Sequence, residues 1–288
     1  MAVTRDKRFN ELWLTENSSD NLRLSLKVNE VLHSEQTKYQ DILIVNTPEY
    51  GRTLMLDGAF QLTERDEFCY SEMMAHVPLC AALNQPENVL IIGGGDGAIL
   101  KQVLKHDIKK CVLIDIDERV IANSQKFLSS ICEDAFKDNR AEIKCMDALK
   151  YIKDIKLNNN LKFDVVIVDS TDPVDFAAGL FMADFYNDLK QIMSGNGILT
   201  ELTESPFTDT DLMRQAIEQM RKVFNNVRMY WGAVPTYPSG MWTYGIACNN
   251  LNINLAEPVR NVNNTRYYTN EIHRASFVLP PFLSELIK

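Results

Sequence analysis

The sequence predicts an α/β protein, an open and largely parallel sheet flanked by helices and preceded by a small antiparallel β unit. Three observations lead there. Residues 22–62 alternate apolar and polar positions in runs separated by turn residues. From Asn88 onward, short apolar strands alternate with amphipathic stretches, the texture of βαβ units. The first of those strands runs straight into a glycine loop, Val89-Leu-Ile-Ile-Gly-Gly-Gly-Asp-Gly-Ala98, as nucleotide-type pockets in α/β sheets do.

In the β unit, Leu22, Leu24, Leu26 and Val28 alternate with polar residues, then Ile42–Val45 and Thr53–Leu56 follow, broken by Asn-Thr-Pro, Tyr-Gly and Asp57-Gly58. Such breaks between period-two runs predict antiparallel strands and hairpins. This places an N-terminal β domain at 1–62 and a catalytic domain at 63–288. Helical spacing of Phe68, Met73, Met74, Val77 and Leu83 predicts a helix over 66–83. Strands are expected at Val89–Ile92, Cys111–Ile116, Glu142–Met146, Asp164–Asp169 and Gly197–Thr203, with helices near 98–106, 118–128, 147–155 and 178–193. A further amphipathic helix, Asp209–Phe224, precedes a final strand pair, Arg228–Val234 and Trp242–Asn249.

A net charge of -9 leaves no basic stripe to neutralise phosphates, which excludes nucleic acid as the main partner. The six cysteines contain no C-x-x-C pair, so neither a zinc cage nor a disulfide framework is signalled. No metal is expected, because His33, His76, His106 and His273 lack ligand spacing and read as structural. The start of the chain holds no apolar signal core and no run of about 18 apolar residues occurs, so a cytoplasmic protein without a membrane partner is expected.

Asp96 is the informative residue of the glycine loop. Gly93, Gly95 and Ala98 fit the relaxed dinucleotide spacing, yet Asp96 would aim negative charge at a pyrophosphate. A cationic nucleoside, such as a sulfonium or an amine, gains from that charge instead. The other parallel strands before the last also end on acids: Asp115 and Asp117, Asp147, then Asp169 and Asp172. Ligands of open α/β sheets bind outside these carboxyl ends. Asp115 lies about 20 residues beyond Gly95, the offset of a ribose-binding acid. Asp147 with Ala148 reads either as a helix N-cap or as a contact to an adenine amino group. Asp169-Ser-Thr-Asp172-Pro173 reads either as a turn or as a pair of carboxylates emerging from a buried strand. Close like charges raise a carboxylate's proton affinity, which suits a general base.

Taken in order, several stretches resemble the polyamine aminopropyltransferases, the spermidine synthase family. They are Tyr39-Gln40-Asp41, Leu56-Asp57-Gly58, Thr63–Phe68, Glu72-Met73, Ala75–Pro78, Val89–Gly97, Asp169–Pro173, Pro235–Gly240 and Ile272–Pro280. The resemblance covers almost the whole chain. It implies a Rossmann-like, methyltransferase-type sheet behind an N-terminal β domain. It implies transfer of an aminopropyl group from decarboxylated S-adenosylmethionine, a co-substrate and not a prosthetic group, to a diamine, most often putrescine, giving spermidine and methylthioadenosine. By the same analogy Gln40 and Asp115 bind the ribose side, Asp147 and Ala148 the adenine, and Gly93 and Gly95 line the donor. Asp96 holds the donor's ammonium. Asp169 accepts the proton of the attacking amine with help from Tyr70, while Asp172, Tyr237 and Glu204 hold the acceptor. The family also implies a homo-oligomer, a homodimer or larger.

Four departures concern the acceptor end and the ribose. Ser71 stands where the family usually has His, which opens space, and Val174-Asp175-Phe176 replaces a small-hydrophobic-Gly-Pro run. Asp115 replaces the usual Glu, and Glu201-Leu-Thr-Glu204 replaces a glutamine-containing segment. The rival readings are an amine N-methyltransferase using intact S-adenosylmethionine, a catalytically altered polyamine-binding member, and a nicotinamide dehydrogenase. Asp96 argues against the first, because the intact donor carries a carboxylate beside its amine.

Overall fold

The computed structural model describes residues 3–6, 11–158, 161–169 and 182–288. Among these, two antiparallel sheets come first. β1 (Val3–Asp6), β2 (Glu11–Asn17) and β3 (Arg23–Val28) form one, and β4 (Glu30–Gln36), β5 (Asp41–Thr47), β6 (Gly51–Leu56) and β7 (Ala59–Thr63) form the other, each in sequence order. Alternation is the cause: in β3, Arg23, Ser25 and Lys27 are exposed while Leu24, Leu26 and Val28 turn inward. Leu14, Val28, Val45, Met55 and Phe60 gather into the core these strands share. β6 and β7 are joined at Asp57-Gly58, both left-handed with φ of 49° and 85°, the conformation that a two-residue hairpin turn with right-handed twist requires.

α1 (Glu67–Ala81) follows, and every one of its residues except Phe68 is buried. A helix apolar on all sides passes through a core instead of lying on it. The expected helical stripe is therefore corrected at two positions. Phe68 faces outward, with the Arg266 guanidinium 3.7 Å from its ring centroid, and Leu83 lies beyond the helix and is exposed. Glu72, buried in α1, accepts the backbone N–H groups of Arg266, Tyr267 and Tyr268 at 2.8 Å each, tying the C-terminal segment to the core.

The main sheet contains β8 (Asn88–Gly93), β9 (Lys110–Asp115), β10 (Ala141–Cys145), β11 (Phe163–Asp169) and β12 (Met193–Leu202), all parallel, then β13 (Asn226–Ala233) and β14 (Met241–Cys248), antiparallel. Their order is β10-β9-β8-β11-β12-β14-β13. Val89 and Ile91 pack with α1 and α2 (Ala98–Val103) on one face. Leu90 and Ile92 pack on the other with α5 (Ala148–Asn158), α6 (Ala183–Ile192) and α7 (Thr210–Arg221). Burial on both faces is why these strands read as continuous apolar runs. α3 (Glu118–Phe127) and the short α4 (Ser129–Cys132) complete the crossover from β9. The strand order reverses between β8 and β11, so the loops after these two strands flank the crevice in which open α/β sheets bind ligands.

Elsewhere the boundaries shift. β12 begins at Met193, four residues before the expected Gly197, because its start pairs with Phe163 across a register irregularity in β11. α8 (Asn270–Ser276) and α9 (Pro281–Leu286) were not anticipated. They are too short for periodicity to show, and their only signals are the Thr269 side chain capping Ile272 N–H and Pro281 in the first turn. Among the described residues no helix is long and apolar enough to cross a membrane. Truncating Glu72 would strand buried backbone donors. Glu72→Ala is expected to cost roughly 3–5 kcal/mol and lower Tm by on the order of 10 °C in a thermal melt; an unchanged Tm would show that water replaces the carboxylate.

Candidate active site

At the reversal point lies a cavity of about 560 Å³, lined both by the N-terminal strands and by the ends of the main-sheet strands. Its base is the glycine loop. Gly95 is required there by close approach, since a Cβ at this position would sit 2.4 Å from Asp115 Oδ2. The bare backbone instead donates Gly95 N–H to that oxygen at 2.9 Å, while Asp117 N–H reaches the other Asp115 oxygen at 2.8 Å. Asp96 Oδ1 accepts Ala98 N–H at 2.7 Å, which fixes its carboxylate in the loop. Asp169, at the end of β11, accepts the Tyr70 hydroxyl at 2.5 Å. β11 pairs directly with β8, with Asp169 opposite Gly93, so Asp96 and Asp169 come from neighbouring strand ends.

This crowding has electrostatic consequences. Burial raises the Asp169 carboxyl above the ordinary range, the charges of Asp96 and Asp115 raise it further, and the Tyr70 hydrogen bond opposes them. Burial likewise raises Asp96, opposed by the Ala98 N–H and reinforced by Glu67. Asp115 is pushed up to about 6 by burial, against the pull of its two backbone donors. Tyr70 is driven well above its usual value by burial and by Asp169, so it stays a neutral donor. A cation bound beside these carboxyls would lower them again.

The cavity wall includes most of the residues singled out from the sequence: Gln40, Tyr70, Gly93, Gly95, Asp96, Asp115, Asp147, Ala148, Asp169, Glu204 and Tyr237. Asp147 also caps its own turn, accepting Leu149 N–H at 2.8 Å, while it remains part of the cavity wall. Glu204 has a left-handed backbone, φ 74°, and its carbonyl accepts both the N–H and the hydroxyl of Thr243. Asp172 and the 174–176 segment lie outside the described residues. Ser71 is fully buried, is not among the described residues that line the cavity, and donates its hydroxyl to Glu67 at 2.7 Å.

Other residues contribute to the site without having been assigned a role. Asp117, one of the strand-end acids and the N-cap of α3, accepts the Gln40 amide at 3.2 Å and the Thr37 hydroxyl at 2.8 Å, orienting Gln40 toward the cavity. Gln61 holds Tyr237 through its carbonyl, which accepts the phenol at 2.6 Å. Asp66 accepts the Thr236 N–H at 2.8 Å, anchoring the loop that carries Tyr237. Glu16, Asn17 and Ser18 bring the β2–β3 hairpin to the wall. Of these, only Asp117 carried a sequence signal, as an acid at the end of a parallel strand. Glu201 points to the far face of the sheet, accepts the Tyr186 hydroxyl, and is pushed up to about 8 by burial. The histidines sit apart from the cavity, His76 against His106 and His273 against Tyr268.

A parallel sheet with an anionic cavity at its reversal point is the frame of a Rossmann-like enzyme, and comparison with known proteins narrows the class. Residues 67–257 match the family model described as the spermine/spermidine synthase domain, and residues 12–64 match the spermidine synthase tetramerisation domain. The polyamine aminopropyltransferase of Thermoanaerobacter sp. (strain X514) is 43% identical over 282 residues, covering 96% of this chain and 98% of that one. The polyamine aminopropyltransferase of Bacillus subtilis (strain 168) is 41% identical over 280 residues, covering 96% and 99%. Among solved structures, a spermidine synthase in complex with the transition state analogue AdoDATO superposes with a TM-score of 0.90 at 38% identity, covering 99% of this chain and 96% of that one. The spermidine synthase of Thermotoga maritima gives 0.87 at 40% identity, covering 96% and 94%. The chain belongs to the spermine/spermidine synthase family, a family of transferases of polyamine biosynthesis.

The raised carboxyls set a pH dependence. Below their pKa values Asp96, Asp115 and Asp169 are neutral and do not attract a cation; above them they are charged and do. Affinity for a cationic ligand is therefore expected to rise with pH along an acid limb well above the ordinary Asp value of about 3.9. Titration calorimetry across pH checks this, and a midpoint near about 4 would contradict the raised values.

Proposed function

We propose that the chain transfers the aminopropyl group of decarboxylated S-adenosylmethionine to putrescine, giving spermidine and 5'-methylthioadenosine. The observation that carries the reading is the Tyr70–Asp169 pair facing Asp96 across the cavity. Putrescine's amine is protonated at neutral pH, as a lysine with a pKa of about 10.4 is, and only the neutral amine attacks. Asp169 takes that proton. The nitrogen lone pair then forms an N–C bond to the aminopropyl carbon, while the C–S electron pair leaves on sulfur. The departing group is a neutral thioether, so no acid is needed on its side. A carboxyl with raised proton affinity in a wall of Tyr70 and Tyr237 suits this step.

In this reading Asp96 holds the donor's ammonium, Gln40 and Asp115 the ribose, and Asp147 with Ala148 the adenine, along the rim from β8 to β10. Tyr237, Glu204 and Asp172 hold the acceptor. Positioning amine and carbon in line supplies up to roughly 7–11 kcal/mol of barrier reduction. Asp169→Asn is expected to lower turnover by roughly 10²–10⁴-fold while donor binding survives. The assay pairs decarboxylated and intact S-adenosylmethionine with putrescine, cadaverine, agmatine and spermidine. Methylated diamine without spermidine would replace this reading with methyl transfer, and undiminished turnover in the variant would remove Asp169 as the base.

We also propose a homo-oligomer built through the N-terminal strands. The matched tetramerisation domain and the strand edges of the two small sheets support it. Light scattering should give a mass at least twice that of one chain; a monomer mass would refute it.

A further inference from the structure

Glu67 has no part in the reading above, although it lies in the cavity wall beside Asp96. It is the first residue of α1 and only 8% exposed. Both of its oxygens are fixed. One accepts the Lys101 ammonium at 3.1 Å, and the other accepts the Ser71 hydroxyl at 2.7 Å. Lys101 stands on α2, just beyond the glycine loop, with a side chain 14% exposed and a second, longer contact of 3.7 Å to Glu133. A half-buried cation therefore lies behind this part of the cavity wall, and Glu67 is the carboxylate set against it.

We infer that Glu67, fixed in place by Ser71 and Lys101, is a specificity-determining residue that, together with Asp96, admits a donor whose arm ends in a bare ammonium and turns away one that also carries a carboxylate. The inference rests on the donor proposed above. Left alone, the Lys101 charge would repel a doubly cationic donor and attract the carboxylate of the intact one. Glu67 cancels that field and reverses it at the wall, because it lies on the cavity side of the pair. Ser71 acts as a positioning residue: its hydrogen bond holds the second oxygen, so the carboxylate cannot swing away with its counterion. The groups facing Asp96 are Glu67 from α1, Lys101 from α2, Asp115 from β9, Asp169 from β11, and Tyr237 from the loop between β13 and β14. Among them Lys101 is the cation, and Glu67 is the carboxylate that offsets it on the cavity side.

The test is titration calorimetry of the full-length chain with decarboxylated and intact S-adenosylmethionine, across pH, for wild type, Glu67→Gln and Lys101→Met. Removing the Glu67 charge exposes Lys101, so the preference for the decarboxylated donor should fall roughly tenfold, and the acid midpoint of its binding should move down. Removing the Lys101 charge should move that midpoint up. Opposite shifts cannot come from loosened packing, which would weaken both donors in step. A Glu67→Gln preference equal to wild type, or midpoints that stay put or move together, overturns the inference. If Glu67→Gln does not fold, Lys101→Met decides alone: the midpoint rises or the inference fails. A wild-type chain that binds both donors equally would overturn the proposed donor, and this inference with it.

Discussion

Several carboxylates are held out of water around one cavity, and the surrounding architecture supplies the donors they need. An ionised acid withdrawn from water must find donors or stay protonated. Asp115 finds two backbone N–H groups, one of which exists only because Gly95 has no Cβ. Asp96 finds one, and Asp169 has the Tyr70 phenol. Burial outweighs these donors in each case, which is why their carboxyls are raised.

Rigidity at the reversal point follows from burial elsewhere. β8 and β11 are sealed on both faces, and α1 is buried along nearly its whole length. Glu72 and Tyr70 sit two residues apart on this one helix, so the residue that ties the C-terminal segment to the core and the residue that grips Asp169 move as one body. Tyr230, Tyr244 and Tyr237 extend the same wall through ring contacts with one another or with Tyr70.

Much of this was legible in the sequence, for identifiable reasons. Strands buried on both faces write themselves as apolar runs, and acids at their ends stand out against that background, so Asp96, Asp115, Asp147 and Asp169 could be placed on one rim. What stayed hidden depends on rotation or on backbone atoms. Glu67 looks like an ordinary first-turn acid, and nothing in its spacing says that it faces a cavity. The direction of Ser71 follows from how α1 is turned, which a helix buried all round does not reveal. Gln61 contributes a carbonyl, a group every residue possesses. α8 and α9 span too few turns to show a period.

The cavity wall is shared between the N-terminal strands and the main sheet, and the seam is stitched by two side-chain pairs, Gln40 with Asp117 and Glu35 with Arg119, and by the Gln61 carbonyl, which accepts the Tyr237 phenol. The two halves are therefore not interchangeable parts. Recombining the strands of one relative with the sheet of another would preserve each core, yet it would leave half of every pair facing a stranger. A productive exchange therefore carries both partners of each seam pair together.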